Sequence, residues 1–261
     1  MDKFLEQADS ELAGFGGHPE ARLKEALEND EFALYCQPIL ALGEASRFPL
    51  GEVLVRMREE EKAMLPPGEF LPVFEHFRMM PQLDRWVARN LLKRLAAGAR
   101  LPCLSMNLSE QTLEDAAFPA FVAGELAASG VKPGSIVFEI EEAEVLNRQE
   151  LVAKFVPAIR AAGGGVLIDG FGRKAVSFAP LKTLAAEYVK IDGSIVRKLV
   201  SSEVARTKLG AILRVGEAVG TKVIAECVEE QDVLARLKAL GVAYAQGFGI
   251  VAPQPIESFA G

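Results

Sequence analysis

GVLIDGFG, residues 165–172, decides how this chain folds. A short apolar run breaks off on Asp169, and glycines at 170 and 172 keep a helix from following at once. Such a run, apolar on both faces, suits a parallel strand covered by helices on each side. The same form recurs outward in both directions: SMNLS at 105–109, IVFEIEE at 136–142, YVKIDG at 188–193, VIAECVEE at 223–230 and AYAQG at 243–247. The six runs end on Asn107, Glu139, Asp169, Lys190, Glu226 and Gln246.

Helical patterns alternate with these runs around 68–77, 81–97, 117–129, 148–162, 174–184, 202–219 and 229–240. Alternation sustained over about 220 residues predicts an α/β fold, a (β/α)8 barrel of TIM type, with an open doubly wound sheet as the alternative. Ahead of it, Phe32 to Leu40 and Phe48 to Met57 read as strands joined by GEAS at 43–46, a connection short enough to require an antiparallel pair. A helix is expected near Glu20 to Asn29, residues 1–18 as a flexible tail or linker, and 19–261 as one domain. The opening residues fit a linker from an upstream sensor as well as a start at Met1.

Half of the 261 residues are apolar, with no uncharged apolar run of membrane-spanning length. No leader pattern precedes the acidic opening MDKFLEQADSELAG, so a cytoplasmic location is expected. Three cysteines at irregular spacing read as reduced, mostly buried thiols. With His18 and His76 as the only histidines, any metal would be held by oxygen. A net charge of −7 argues against a duplex nucleic-acid face but leaves room for a small anionic ligand.

In a barrel the carboxyl ends of the strands carry function. Any one polar strand end has a plain explanation, such as capping the next helix. Jointly they gather like charges that raise one another's pKa unless a cation neutralises them. Oxygen donors without histidine select magnesium, manganese or calcium.

The chain resembles the EAL domain family, whose members bind or hydrolyse cyclic di-GMP. The likeness runs from YCQPIL at 35–40 through GEVLVR at 51–56, PPGEFLPVFE at 66–75, DRWVARNLL at 84–92, SMNLS, FEIEE at 138–142, IDGFG at 168–172, YVKIDGSIV at 188–196 and VIAECVEE to YAQGFGIVAP at 244–253. It implies that Glu52, Asn107, Glu139 and Asp169 hold a first ion, magnesium or manganese, with calcium as an inhibitory occupant. Lys190 would orient the attacking water, and Glu226 would serve the second ion and as general base. Glu229 would steady the loop after Asp169, and Gln37, Arg56, Asp84 and Gln246 would surround the nucleotide. Arg56 would meet a phosphate and Asp84 a guanine edge.

The family's Asp-Asp-Phe-Gly reads Asp169-Gly170-Phe171-Gly172 here, so the second ion lacks a charged ligand. The loop that usually reads FGTGYSSL is FGRKAVSF at 171–178. Arg173 and Lys174 are then either a solvated helix start or cations that partly replace an ion. Glu141 stands where FEITE has threonine and is a possible compensating acid.

Three functions follow. The first is a catalytically degenerate receptor that binds cyclic di-GMP and signals to a protein effector. The second is an active phosphodiesterase giving the linear dinucleotide, in which Glu141, Glu142 or a water completes the second metal site. The third is a scaffold that has lost the nucleotide. A homodimer is expected from the resemblance alone.

Overall fold

The computed structural model describes residues 18–43, 47–58, 64–173 and 178–259. The expected tail, apart from His18, most of the GEAS turn and Lys174 lie outside these residues.

The strands are β1 Phe32–Ala41, β2 Leu50–Arg58, β3 Met64–Leu65, β4 Leu104–Asn107, β5 Ile136–Glu141, β6 Gly165–Phe171, β7 Tyr188–Ile191, β8 Lys222–Ala225, β9 Tyr244–Ala245 and β10 Gln254–Pro255. Eight of them close a barrel in the order β1-β2-β4-β5-β6-β7-β8-β9 and back to β1. β1 is antiparallel to both neighbours, β2 and β9, while β2 and the strands from β4 to β9 are mutually parallel. The expected antiparallel first pair is therefore present, with Gln37 opposite Glu52. β3 and β10 are two-residue additions to β2 and β1.

Helices lie within one or two residues of most predicted spans, as at Met80–Ala96, Phe118–Ser129 and Glu203–Val219. The helix expected over 148–162 is preceded by a separate one, Glu142–Asn147, and runs from Gln149 to Ala161, because Arg148 leaves helical geometry at φ −125° and ψ 44°. Of the helix expected over 174–184, the described part is Ala179–Leu184.

The barrel interior explains where the polar residues sit. Ile39, Leu50, Val137, Leu167 and Ile224 form a buried apolar plug. On each of these strands the residue two places away is Gln37, Glu52, Glu139, Asp169 or Glu226, and residues two apart share a face of a strand. The apolar layer excludes water beneath the site, and the next layer presents side chains that need partners. Outside the barrel a second, larger core packs the strands against the helices, with Phe118 between Phe138 and Phe155. Among the described residues no helix is long and apolar enough to cross a membrane.

Candidate functional site

Lys190 stands at the centre of the ring, 1% exposed. Its Nζ donates to Glu139 Oε2 at 2.5 Å and Glu52 Oε2 at 3.0 Å, and lies 3.8 Å from Asp169 Oδ1. Burial favours a neutral amine, but Glu139, Glu52 and Asp169 hold the ammonium charged well above the ordinary lysine range. Glu139 is pushed the other way: burial, then the charges of Glu52 and Asp169, outweigh Lys190 and raise it to about 8. Burial also opposes the charge of Glu52, yet the Lys190 ammonium and hydrogen bonds from Gln246, Lys190 and Asn107 keep it below its ordinary value.

The rest of the ring closes on this centre. Asn107 Nδ2 donates to Glu52 Oε1 at 3.0 Å, and Gln246 Nε2 donates to Glu52 Oε2 at 2.7 Å and to Gln37 Oε1 at 3.1 Å. Gln37 in turn donates to the Val251 carbonyl at 3.0 Å. Glu226 Oε1 accepts from the Gly193 amide at 2.8 Å, and burial together with Asp169 raises its carboxyl to about 7. Just past it, Cys227 takes a left-handed φ of 56°, which turns the chain sharply after β8. Facing that turn, a Cβ on Gly247 would lie 2.2 Å from the Val228 backbone, so glycine is what lets the Gln246 and Glu226 loops pack together.

The structure thus brings Gln37, Glu52, Asn107, Glu139, Asp169, Lys190, Glu226 and Gln246 together. Three further expected residues, assigned to the nucleotide or to a loop, lie outside this hydrogen-bonded ring. Arg56 shares the strand face of Glu52 but lies about 13 Å further along β2, from about 3.3 Å per residue; its guanidinium donates to the Val55 carbonyl and lies 5.5 Å from the Tyr35 ring centroid. Asp84 is 4% exposed, and its Oδ2 accepts from the Ser109 amide at 3.0 Å and hydroxyl at 2.7 Å, so it ties a helix to the loop after β4. Glu229 is exposed, and the loop it is expected to steady includes residues outside the described set.

Three further residues contribute: Ser105 and Asp192 escaped the sequence, while Glu142 was expected only as an acid completing the second metal site. Ser105 Oγ donates to Glu139 Oε1 at 2.5 Å from a fully buried position; its spacing of two from Asn107 was the available signal. Glu142 Oε2 accepts from the Gly172 amide at 3.1 Å. Asp192 Oδ2 accepts from Arg173 Nε at 2.7 Å. Arg173 is therefore ion-paired, with its side chain 58% exposed.

The donor set fits one hard cation. Glu52, Glu139 and Asp169 set three carboxylates against one ammonium, and Asp169 Oδ1 is buried without a hydrogen-bond partner. Among the described residues no three His, Cys, Asp or Glu side chains are grouped to hold an ion as they stand. A second cation does not fit in the same way. Gly170 supplies no donor, and at φ +65° a Cβ there would lie 3.3 Å from Arg173 Nη2 and 3.1 Å from Glu141 Oε2.

The phosphodiesterase PdeB of Shewanella oneidensis, a cyclic di-GMP phosphodiesterase, is 32% identical over 241 residues, covering 91% of this chain and 28% of its own. The cyclic di-GMP phosphodiesterase PdeF of Escherichia coli is 31% identical over 90% of this chain and 32% of its own, so the chain spans about a third or less of these relatives. Among solved structures, the FimX EAL domain of Pseudomonas aeruginosa bound to c-di-GMP superposes with a TM-score of 0.82 at 29% identity, over 89% of this chain and 94% of that one. The EAL domain family matches residues 20–253, and the chain belongs to it.

Proposed function

We propose that the chain binds cyclic di-GMP and acts as a receptor in which hydrolysis is weak or lost. The observation that carries this is the pairing of a complete polar ring, from Gln37 to Gln246, with a glycine at 170 where a further acid would be needed. Glu52, Asn107, Glu139 and Asp169 would hold one magnesium or manganese ion. That ion would polarise a phosphodiester oxygen. Lys190 would place its ammonium beside the phosphate, and Arg56 would meet the other end of the ligand from the rim. A guanidinium suits a phosphodiester because it makes two charge-assisted hydrogen bonds at once. Asp84 supports the loop after β4 and stays a candidate for a guanine edge. Phe248, two residues past Gln246 and 70% exposed, offers a face for base stacking. The bound state would be passed to a protein effector.

A second function is supported by Glu226, whose carboxyl at about 7 suits a general base working near neutral pH. It would make the chain a phosphodiesterase giving the linear dinucleotide. Calorimetric titration with cyclic di-GMP, in magnesium and in chelator, tests the binding claim; no heat at tens of micromolar ligand overturns it. Chromatography of the product then separates the two functions. Turnover that disappears in Glu52→Ala overturns the receptor assignment.

A further inference from the structure

Acids crowd the side of the ring near Asp169, where Glu141 stands opposite it in register and Glu142, Asp192 and Glu226 border the same space. Arg173 reaches into this group. Its Nε donates to Asp192 Oδ2 at 2.7 Å, and its Nη1 lies 3.8 Å from Glu141 Oε2. Asp192 is anchored in turn: its Oδ1 accepts from the Ser194 amide at 2.9 Å, and its side chain is 8% exposed. The guanidinium is thus held at one edge by a buried carboxylate while the side chain remains 58% exposed, open to a ligand arriving from solvent.

Gly170 completes the arrangement. With its φ of +65° and a virtual Cβ 3.3 Å from Nη2 and 3.6 Å from Cζ of Arg173, any side chain at 170 would project onto the guanidinium. A side chain at 170 and the guanidinium of Arg173 would therefore crowd one another, with Glu141 Oε2 nearer still at 3.1 Å. A guanidinium stays charged at any working pH and presents five donors in a fixed fork. Nε is engaged by Asp192 and Nη1 lies within ionic reach of Glu141 at 3.8 Å, so Nη2 is the group left for an anion, with Nη1 able to turn from Glu141 to join it.

We propose that Arg173 is the resident cation of this half of the site: it takes the place a second divalent ion would need, and its Nη groups contact a phosphate of the bound nucleotide. The phosphate contact rests on the cyclic di-GMP reading above. The displacement of an ion does not. Nucleotide binding on this side should then survive removal of metal.

Manganese binding, counted by electron paramagnetic resonance without nucleotide, tests the displacement. The protein should bind no more than one ion, Gly170→Asp alone should add none, and Gly170→Asp combined with Arg173→Ala should add one. Two ions in the unmodified protein, a gain in Gly170→Asp alone, or no gain in the double variant overturns it. Titration with cyclic di-GMP in chelator tests the contact. Arg173→Ala should weaken binding by about ten- to a hundred-fold, the loss expected of one charge-assisted contact, and Arg173→Lys should fall between. Unchanged affinity in Arg173→Ala overturns the contact. If the unmodified protein binds no nucleotide in any buffer, the functional assignment and the contact fall together, and the manganese count still decides the displacement.

Discussion

Replacing Lys190 by methionine keeps an unbranched chain of similar length and removes the ammonium from the centre of the ring. Glu139, whose side chain is 0% exposed, then loses its 2.5 Å partner, and Glu52 loses its 3.0 Å one. Ser105, Asn107 and Gln246 still donate to these acids, but none carries charge. Breaking a buried ion pair from one side costs about 3–5 kcal/mol. At about 2–4 °C per kcal/mol for a domain of this size, Tm should fall on the order of 10 °C in chelator. A divalent ion supplies the charge that lysine gave, and at a hundred-fold excess over its Kd it returns about 2.7 kcal/mol. Magnesium should therefore stabilise Lys190→Met more than the unmodified protein, whose ammonium already meets the same acids. Urea unfolding followed by circular dichroism, with chelator and with magnesium, measures both effects. A loss under about 1 kcal/mol in chelator, or an equal magnesium gain in the two proteins, refutes the role given to Lys190.

Asp84, pushed by burial from 3.8 to about 6, holds its proton more tightly folded than unfolded, so its contribution makes stability fall as pH rises from about 4 to about 6. The change is on the order of 3 kcal/mol, and Asp84→Asn should flatten it; urea midpoints with the same pH slope in both proteins would refute this. Ser105→Ala should cost about 1–3 kcal/mol by leaving Glu139 Oε1 buried without its donor, and a urea-derived loss below about 0.5 kcal/mol would mean the hydroxyl does not hold that acid.

The barrel was legible because its signal is long and repetitive. Each interior strand places an apolar residue two positions from a polar one, as Leu167 precedes Asp169 and Val137 precedes Glu139, and that spacing survives any error in strand ends. β3 and β10 were not legible, since two residues carry no period and their pairing depends on what β1 and β2 leave at the edge. The helix expected from 148 was legible because Val152, Phe155, Val156 and Ile159 keep a helical period, whereas the six-residue helix before it, Glu142–Asn147, is too short to carry one. At the site, the residue types were readable and their mutual contacts were not. Nothing local in YVKIDG says that Lys190 lies inside the acid cluster or that Asp192, two residues on, faces Arg173 from a different loop.

Holding a phosphodiester and cutting it place different demands on the same acids. Holding needs positive charge near the phosphates, and protein cations can supply it. Cutting needs a water made nucleophilic, which a guanidinium or ammonium does not generate as a bound divalent ion does. Here Lys190 meets Glu139 and Glu52, and Arg173 meets Asp192 and Glu141, so four acids already face protein cations. Asp169 keeps one buried oxygen that accepts no hydrogen bond and lies 3.8 Å from the Lys190 ammonium, and Glu226 keeps a carboxyl raised to about 7, which leaves the means for a single ion and a base on one side of the ring. The two activities should therefore separate with metal. Removing divalent ions should abolish whatever hydrolysis exists while leaving much of the nucleotide affinity, and a protein that loses both together would place its phosphate contacts on the ion and not on Lys190 and Arg173.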